Sequence, residues 1–168
     1  GFSLPHGHYL HQGHIWMKLE EDATVRIGLD DFILRVLGPL DRIQVPLAGE
    51  TLTRDTPQIR LLRGDHSAGA LSPVSGVVTD INPLLRESGL ESSMGPYTWG
   101  WIARVRCDRL LQDLGSTLLG AEAKQFLEEE ADTLFNRIAE HQGPLAADGG
   151  ELAPDLCGNL PELDWSEL

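Results

Sequence analysis

Leu71-Ser72-Pro73-Val74-Ser75-Gly76-Val77-Val78-Thr79-Asp80-Ile81-Asn82 is the stretch whose reading decides the fold. Pro73 and Gly76 break an apolar run, so Ala70-Leu71 closes one strand and residues 76–81 form the next. Asn82-Pro83 ends that second strand. Just upstream, residues 58–62 read as another strand, followed by Arg63-Gly64-Asp65-His66-Ser67-Ala68-Gly69, a polar turn bearing glycine. Further out, residues 15–19 and 24–28 flank Glu20-Glu21-Asp22 and predict a hairpin. Residues 43–45 end at Pro46, and Gly49-Glu50-Thr51-Leu52 is a turn leading into a strand. Residues 99–105 form one more strand, on which Trp99 and Trp101 share a face because side chains alternate. Short strands separated by turn chemistry predict a small, mainly β barrel or sandwich.

Helical signals are fewer. Asp30 is an N-cap, Phe32, Ile33, Val36 and Leu37 recur at helical spacing, and Gly38-Pro39 stops the helix. A short helical piece follows Asn82-Pro83 through Leu85, and Asp108 caps another through Leu114. The longest spans residues 121–140, with Phe126, Leu127, Leu134, Phe135 and Ile138 on one face. Glu128, Glu129, Glu130 and Asp132 occupy the other face, which reads as solvated surface rather than a metal site. The predicted organisation is a His- and Gly-rich lead at 1–14, a domain at 15–141, and an irregular acidic tail at 142–168. In that tail Leu163, Trp165 and Leu168 could dock on a surface.

The chain of 168 residues carries 26 acids and 13 bases, a net charge of −13. Nucleic acid, whose phosphates need Lys and Arg, is therefore not expected as a partner, and neither is an anionic membrane surface. No apolar run approaches the ~20 residues of a membrane span. Two cysteines, Cys107 and Cys157, make neither a disulfide framework nor a zinc motif; a reduced, cytoplasmic setting is the expectation. The chain begins at Gly1 rather than Met, which leaves room for an upstream segment.

Four stretches in register resemble the glycine cleavage system H protein family. They are His14-Ile15-Trp16-Met17-Lys18-Leu19-Glu20, similar to that family's opening His-x-Trp strand; Val25-Arg26-Ile27-Gly28-Leu29-Asp30-Asp31-Phe32 followed by Leu37-Gly38; residues 71–82; and Gly95-Pro96-Tyr97-Thr98-Trp99-Gly100-Trp101-Ile102. The likeness covers roughly residues 8–140. It implies a barrel-sandwich hybrid of the lipoyl/biotinyl carrier type, with short helices and a C-terminal amphipathic helix. It also implies a carrier role, in which a hairpin lysine is joined by an amide to lipoic acid. That arm takes an aminomethyl group from a decarboxylase and passes it to the next enzyme. In such carriers the cofactor supplies the chemistry and the protein presents it.

Counting back from Ser72-Pro73, the resemblance places the lipoyl-lysine position on Asp65, and Leu62 where the family's acidic residue is expected. The chain's only lysines are Lys18 and Lys124, so no small shift of alignment restores the motif. Asp65 cannot take the lysine's part, because lipoyl ligation needs an ε-amine nucleophile. No lipoate is therefore expected, although the family uses it.

The same hairpin holds residue types suited to other chemistry. Asp65-His66-Ser67 contains triad residue types, but neighbours in one turn seldom converge as a triad requires. Arg63, Gly64, Asp65, His66 and Ser67 read instead as a binding hairpin, since exposed loops carry recognition. In the lead, His6, His8, His11 and His14 supply imidazoles, which are common metal ligands. No carboxylate or cysteine accompanies them, so no metal site is expected, with His6, His8 and His11 as the residues that would form one. His14 is expected to pack near Trp16. The sequence thus predicts a non-enzymatic, non-lipoylated scaffold that binds an unidentified protein. The alternatives are a lipoyl carrier in glycine cleavage or related one-carbon or sulfur transfer, and a metal- or redox-linked accessory protein.

Overall fold

The structure is a computed structural model that describes residues 2, 4–87, 89–90, 94–142, 147–148 and 151–152. Its elements in chain order are β1 (His8–His11), β2 (Ile15–Leu19), β3 (Thr24–Leu29), α1 (Asp31–Leu37), β4 (Arg42–Gln44), β5 (Thr51–Leu52), β6 (Ile59–Arg63), β7 (His66–Ala70), β8 (Gly76–Ile81), α2 (Leu84–Glu87), β9 (Trp101–Cys107), α3 (Leu110–Leu114), β10 (Leu118–Leu119), α4 (Ala121–Gln142), β11 (Ala147–Asp148) and β12 (Glu151–Leu152). A seven-stranded antiparallel sheet runs β10-β1-β2-β3-β9-β8-β5, a three-stranded sheet runs β4-β6-β7, and β11 pairs with β12. This is the barrel-sandwich arrangement, mainly β, that the sequence predicts.

The alternation read in the strands decides which face is core. Val25, Ile27, Ala103 and Val105 are fully buried, while Arg26 and Arg104 between them point outward. Register pairs Met17 with Ile27, Ile27 with Ala103, and Val25 with Val105, so the inward rows stack across three strands. Each fully buried valine, isoleucine or methionine in these rows contributes about 1.5–3 kcal/mol of hydrophobic stabilisation. On the outer face of the same sheet Trp16 is also fully buried, because its indole lies flat over Gly28 of β3. A Cβ on Gly28 would sit 2.5 Å from the Trp16 ring, so only glycine fits there. The indole Nε1–H donates to the Pro96 carbonyl at 3.0 Å, which ties residues 95–100 over that end of the sheet.

α1 follows the sequence signals closely. The Asp30 carboxylate accepts from Ile33 N–H at 2.8 Å, and Gly38 takes positive φ at the end, its N–H donating to Leu34 O. α4 covers the predicted helix and extends to Gln142, burying Ala123, Leu127, Leu134 and Ile138.

Several expectations are corrected. The lead is not outside the fold: His8–His11 form β1, paired with β2 and β10, and His8 and His11 are buried. In each ring Nε2 meets a distant partner, the Tyr97 carbonyl for His8 and Asp55 Oδ1 for His11, a long-range effect that local sequence does not show. The polar turn predicted over 63–69 narrows to Gly64-Asp65, because Arg63 pairs with His66 and the strands continue to Ile59 and Ala70. Trp99 does not share a strand with Trp101. Thr98 N–H and Gly100 N–H both donate to the Gly95 carbonyl, so a turn uses up these residues and Trp99 is 71% exposed. Asp108 does not cap α3; Arg109 holds that position without a side-chain bond, and Asp108 N–H instead donates to Ser75 O. Cys157, Leu163, Trp165 and Leu168 lie outside the described residues.

Candidate functional site

The hairpin tip is a two-residue turn. Gly64 has φ of +56°, a left-handed conformation that favours glycine, and Asp65 is the exposed residue beside it. The tip is held from two sides: Gly64 N–H donates to Asp41 Oδ2 at 2.6 Å, and Arg63 Nη1–H donates to the Leu37 carbonyl at 2.7 Å. Arg63 thereby caps the C-terminal end of α1, where a cation suits the helix dipole. Ser67 Oγ accepts from Arg60 Nη2–H at 3.2 Å. His66 and Ser67 are consecutive on β7 and point to opposite sheet faces, so Asp65, His66 and Ser67 do not converge as a catalytic trio. Lys18 lies in β2 opposite Arg26, and Lys124 lies in α4; neither is on the hairpin.

A hollow of about 580 Å³ lies at the root of the hairpin. Leu29, Ile33, Leu37 and Leu61 line it with apolar surface, β7 supplies one wall from Ser67 to Ala70, and Gln12, His14 and Glu130 form its polar rim. Polar and apolar groups share this lining.

His14 organises that rim. Its Nδ1–H donates to Asp30 Oδ2 at 2.7 Å, and its carbonyl accepts from Asp30 N–H at 3.0 Å. Asp30 is fully buried, so its charge has little water to screen it. The imidazole stacks on Phe32 of α1 at 5.0 Å and leans on Phe126 of α4 at 5.4 Å. Its Nε2 is 3.8 Å from Glu130 Oε1. Burial works to lower the His14 pKa, but the charge and hydrogen bond of Asp30 and the charge of Glu130 outweigh it and raise the value above 6.5. His14 thus packs on two phenylalanines rather than near Trp16. The residue that does meet Trp16 is His8, edge-on at 5.0 Å.

The lead histidines go separate ways. His8 touches Trp16 and Tyr97, and burial, with Lys18's charge adding to it, lowers its pKa from 6.5 despite carbonyls that oppose the shift. His11 Nδ1 accepts from Gly13 N–H at 2.9 Å, which leaves Nε2–H to donate to Asp55 Oδ1 at 2.7 Å. His6 is exposed. Among the described residues no group of three or more His, Cys, Asp or Glu is placed to hold a metal ion. Cys107 is half-buried, and burial with Asp113 and Asp108 nearby pushes its thiol up to about 12. It is therefore no thiolate nucleophile near neutral pH.

Sequence reasoning missed Tyr97. Its hydroxyl accepts from Asp31 N–H at 3.0 Å, so it satisfies a free amide at the start of α1. Burial and the Asp30 charge raise its pKa. The stretch around it was legible, but not this role, because its partner lies 66 residues away.

Residues 8–130, from β1 into α4, match the family model described as glycine cleavage H-protein. The chain belongs to the glycine cleavage H-protein family. A glycine cleavage system H protein of Coprothermobacter proteolyticus is 33% identical over 119 residues, covering 69% of this chain and 91% of that protein. One from Psychrobacter sp. is 30% identical over 112 residues, covering 67% and 87%. A crystal structure of a glycine cleavage system H protein from Mycobacterium marinum superposes with a TM-score of 0.62 at 20% identity, over 76% of this chain and 98% of that one. That structural likeness carries the H-protein fold. The family match takes in the hairpin, the hollow and His14.

Proposed function

We propose that this H-protein-family chain works as a protein-interaction or scaffold module, without lipoate on its hairpin and without catalysis of its own. The observation that carries this reading is Asp65 at the two-residue tip. Attachment of lipoate needs an amine to attack an activated acyl group, and a carboxylate supplies none. Lys18 and Lys124 sit on a strand and a helix away from that hairpin, so neither presents an amine on an exposed turn. The well-anchored tip, with Arg63, Gly64, Asp65, His66 and Ser67, remains available to a protein partner. Intact mass of the protein after expression with a lipoate ligase tests the reading: no added lipoyl mass supports it.

The second reading is a lipoyl carrier of the glycine cleavage system, or of a related one-carbon or sulfur-transfer system. Family membership and the hollow beside the hairpin favour it, and it requires lipoate on Lys18 or Lys124. A metal- or redox-linked accessory role draws less support, since His8, His11 and His14 are engaged elsewhere and Cys107 holds its proton. A cytoplasmic setting fits the sparse cysteines, and no described helix is long and apolar enough to cross a membrane.

A further inference from the structure

The outer face of the seven-stranded sheet gathers cations that neither the core nor the hairpin uses. Register sets Lys18 of β2 opposite Arg26 of β3, and Arg26 opposite Arg104 of β9. Arg106 stands two residues along β9 and so on the same face. Neighbouring strands are about 4.8 Å apart, and like charges set directly opposite destabilise a sheet. Yet four of the 13 basic residues of a chain with net charge −13 stand on this face.

The two middle cations are held in place. Arg26 Nε–H and Arg104 Nε–H donate to the same oxygen, Glu20 Oε1, at 2.8 and 3.2 Å. Both guanidiniums also lie over the half-buried Trp101 ring, at 5.5 and 4.5 Å. Those two arginines lower the Glu20 pKa against the opposing effect of burial. Each arginine spends its Nε–H on Glu20 and keeps its terminal N–H groups. Lys18 and Arg106 are exposed and have no ion-pair partner among the described residues. Asp80, opposite Arg104 on β8, bounds the row on one side, with Glu21 near it across a shallow hollow.

We propose that this face docks an acidic, extended segment of a partner protein, its carboxylates meeting Lys18, Arg26, Arg104 and Arg106 and its chain lying along Trp101. The inference rests on the interaction-module reading and names one surface for it. Glu20 shows how a carboxylate engages the paired arginines. The patch is short and fixed, and the rest of the molecule is acidic, so long polyanions such as nucleic acid or an anionic membrane are repelled around it. Preordered arginines beside an aromatic ring are the kind of anchor that dominates protein interfaces.

Fluorescence anisotropy of a labelled peptide of alternating Glu and Asp, titrated with the full chain, tests this. Binding is expected at low ionic strength, weakening with added salt. The exposed pair K18E/R106E should lose at least about tenfold in affinity, and K18Q/R106Q somewhat less. R42E/R60E, which reverses two exposed cations on the β4–β6 sheet, should stay within about twofold. No binding at low salt, equal losses in both charge-reversed pairs, or tighter binding of RNA or anionic vesicles than of the peptide would each overturn the proposal. None of these outcomes bears on the mass of the protein, so the absence of lipoate is judged separately.

Discussion

His14 Nδ1 lies 2.7 Å from Asp30 Oδ2, while Asp30 N–H donates back to the His14 carbonyl at 3.0 Å. This two-way bond joins the β1–β2 turn to the N-terminus of α1. Because His14 has φ of +66° and a ring packed between Phe32 and Phe126, it also seats α4 against the barrel. One residue therefore couples three elements far apart in sequence.

That bond makes stability depend on pH in a stated direction. The folded-state pKa of His14 is raised above 6.5, so its contribution is complete below 6.5 and is lost as pH rises through the raised value. His8 acts in the opposite sense. Its folded-state pKa is lowered, so its contribution is present above 6.5 and is lost as pH falls through the lowered value. Urea unfolding across this range should show a decline on the alkaline side that His14→Gln removes, and a decline on the acid side that His8→Gln reduces. An unchanged alkaline slope in His14→Gln would refute the first assignment.

Asp30→Ala removes an N-cap worth about 1 kcal/mol and a hydrogen bond to a charged partner worth about 1.5–3 kcal/mol. Asp30→Asn keeps an oxygen for the Ile33 amide but loses the charge facing His14. Unfolding free energies should rank wild type above Asp30→Asn and Asp30→Ala last, and the alkaline decline should shrink in both variants.

Gly28→Ala forces a methyl to within 2.5 Å of the Trp16 ring. The indole must move, the bond to Pro96 O breaks, and overpacking of this kind costs about 1–3 kcal/mol. A lower melting temperature together with a red-shifted tryptophan emission is expected; an unchanged spectrum would mean that Trp16 does not lie over this glycine.

These contacts mark where the sequence was readable and where it was not. β2, β3, β8 and α1 were legible because alternation, turn residues and the Asp30 cap are local signals. β1 was hidden because its histidines look like solvent-exposed polar residues until Trp16, Tyr97 and Asp55 bury or bond them. β10 is two residues long and exists only through its pairing with β1. At the hairpin, Gly64 and the tip position of Asp65 were readable, but not the anchors from Asp41 and Leu37, which are 23 and 26 residues away. Glu130 read as part of a solvated acidic face, and its approach to His14 depends on how α4 packs.

Asp65→Lys tests whether the tip keeps the geometry of a lipoylation hairpin. With the turn fixed by Asp41 and Gly64, the new amine stands exposed at the tip, and co-expression with a lipoate ligase should yield a lipoylated fraction. Adding Asp41→Ala should reduce that fraction by loosening the turn. Absence of modification in Asp65→Lys would mean that more than the lysine separates this hairpin from a carrier's.

The most direct test of the central claim is the intact mass of the protein purified from its native cell. A mass equal to that of the polypeptide agrees with an H-protein-family module that carries no lipoyl group. An added lipoyl mass, mapped by peptide sequencing to Lys18 or Lys124, would contradict it and make this chain a carrier.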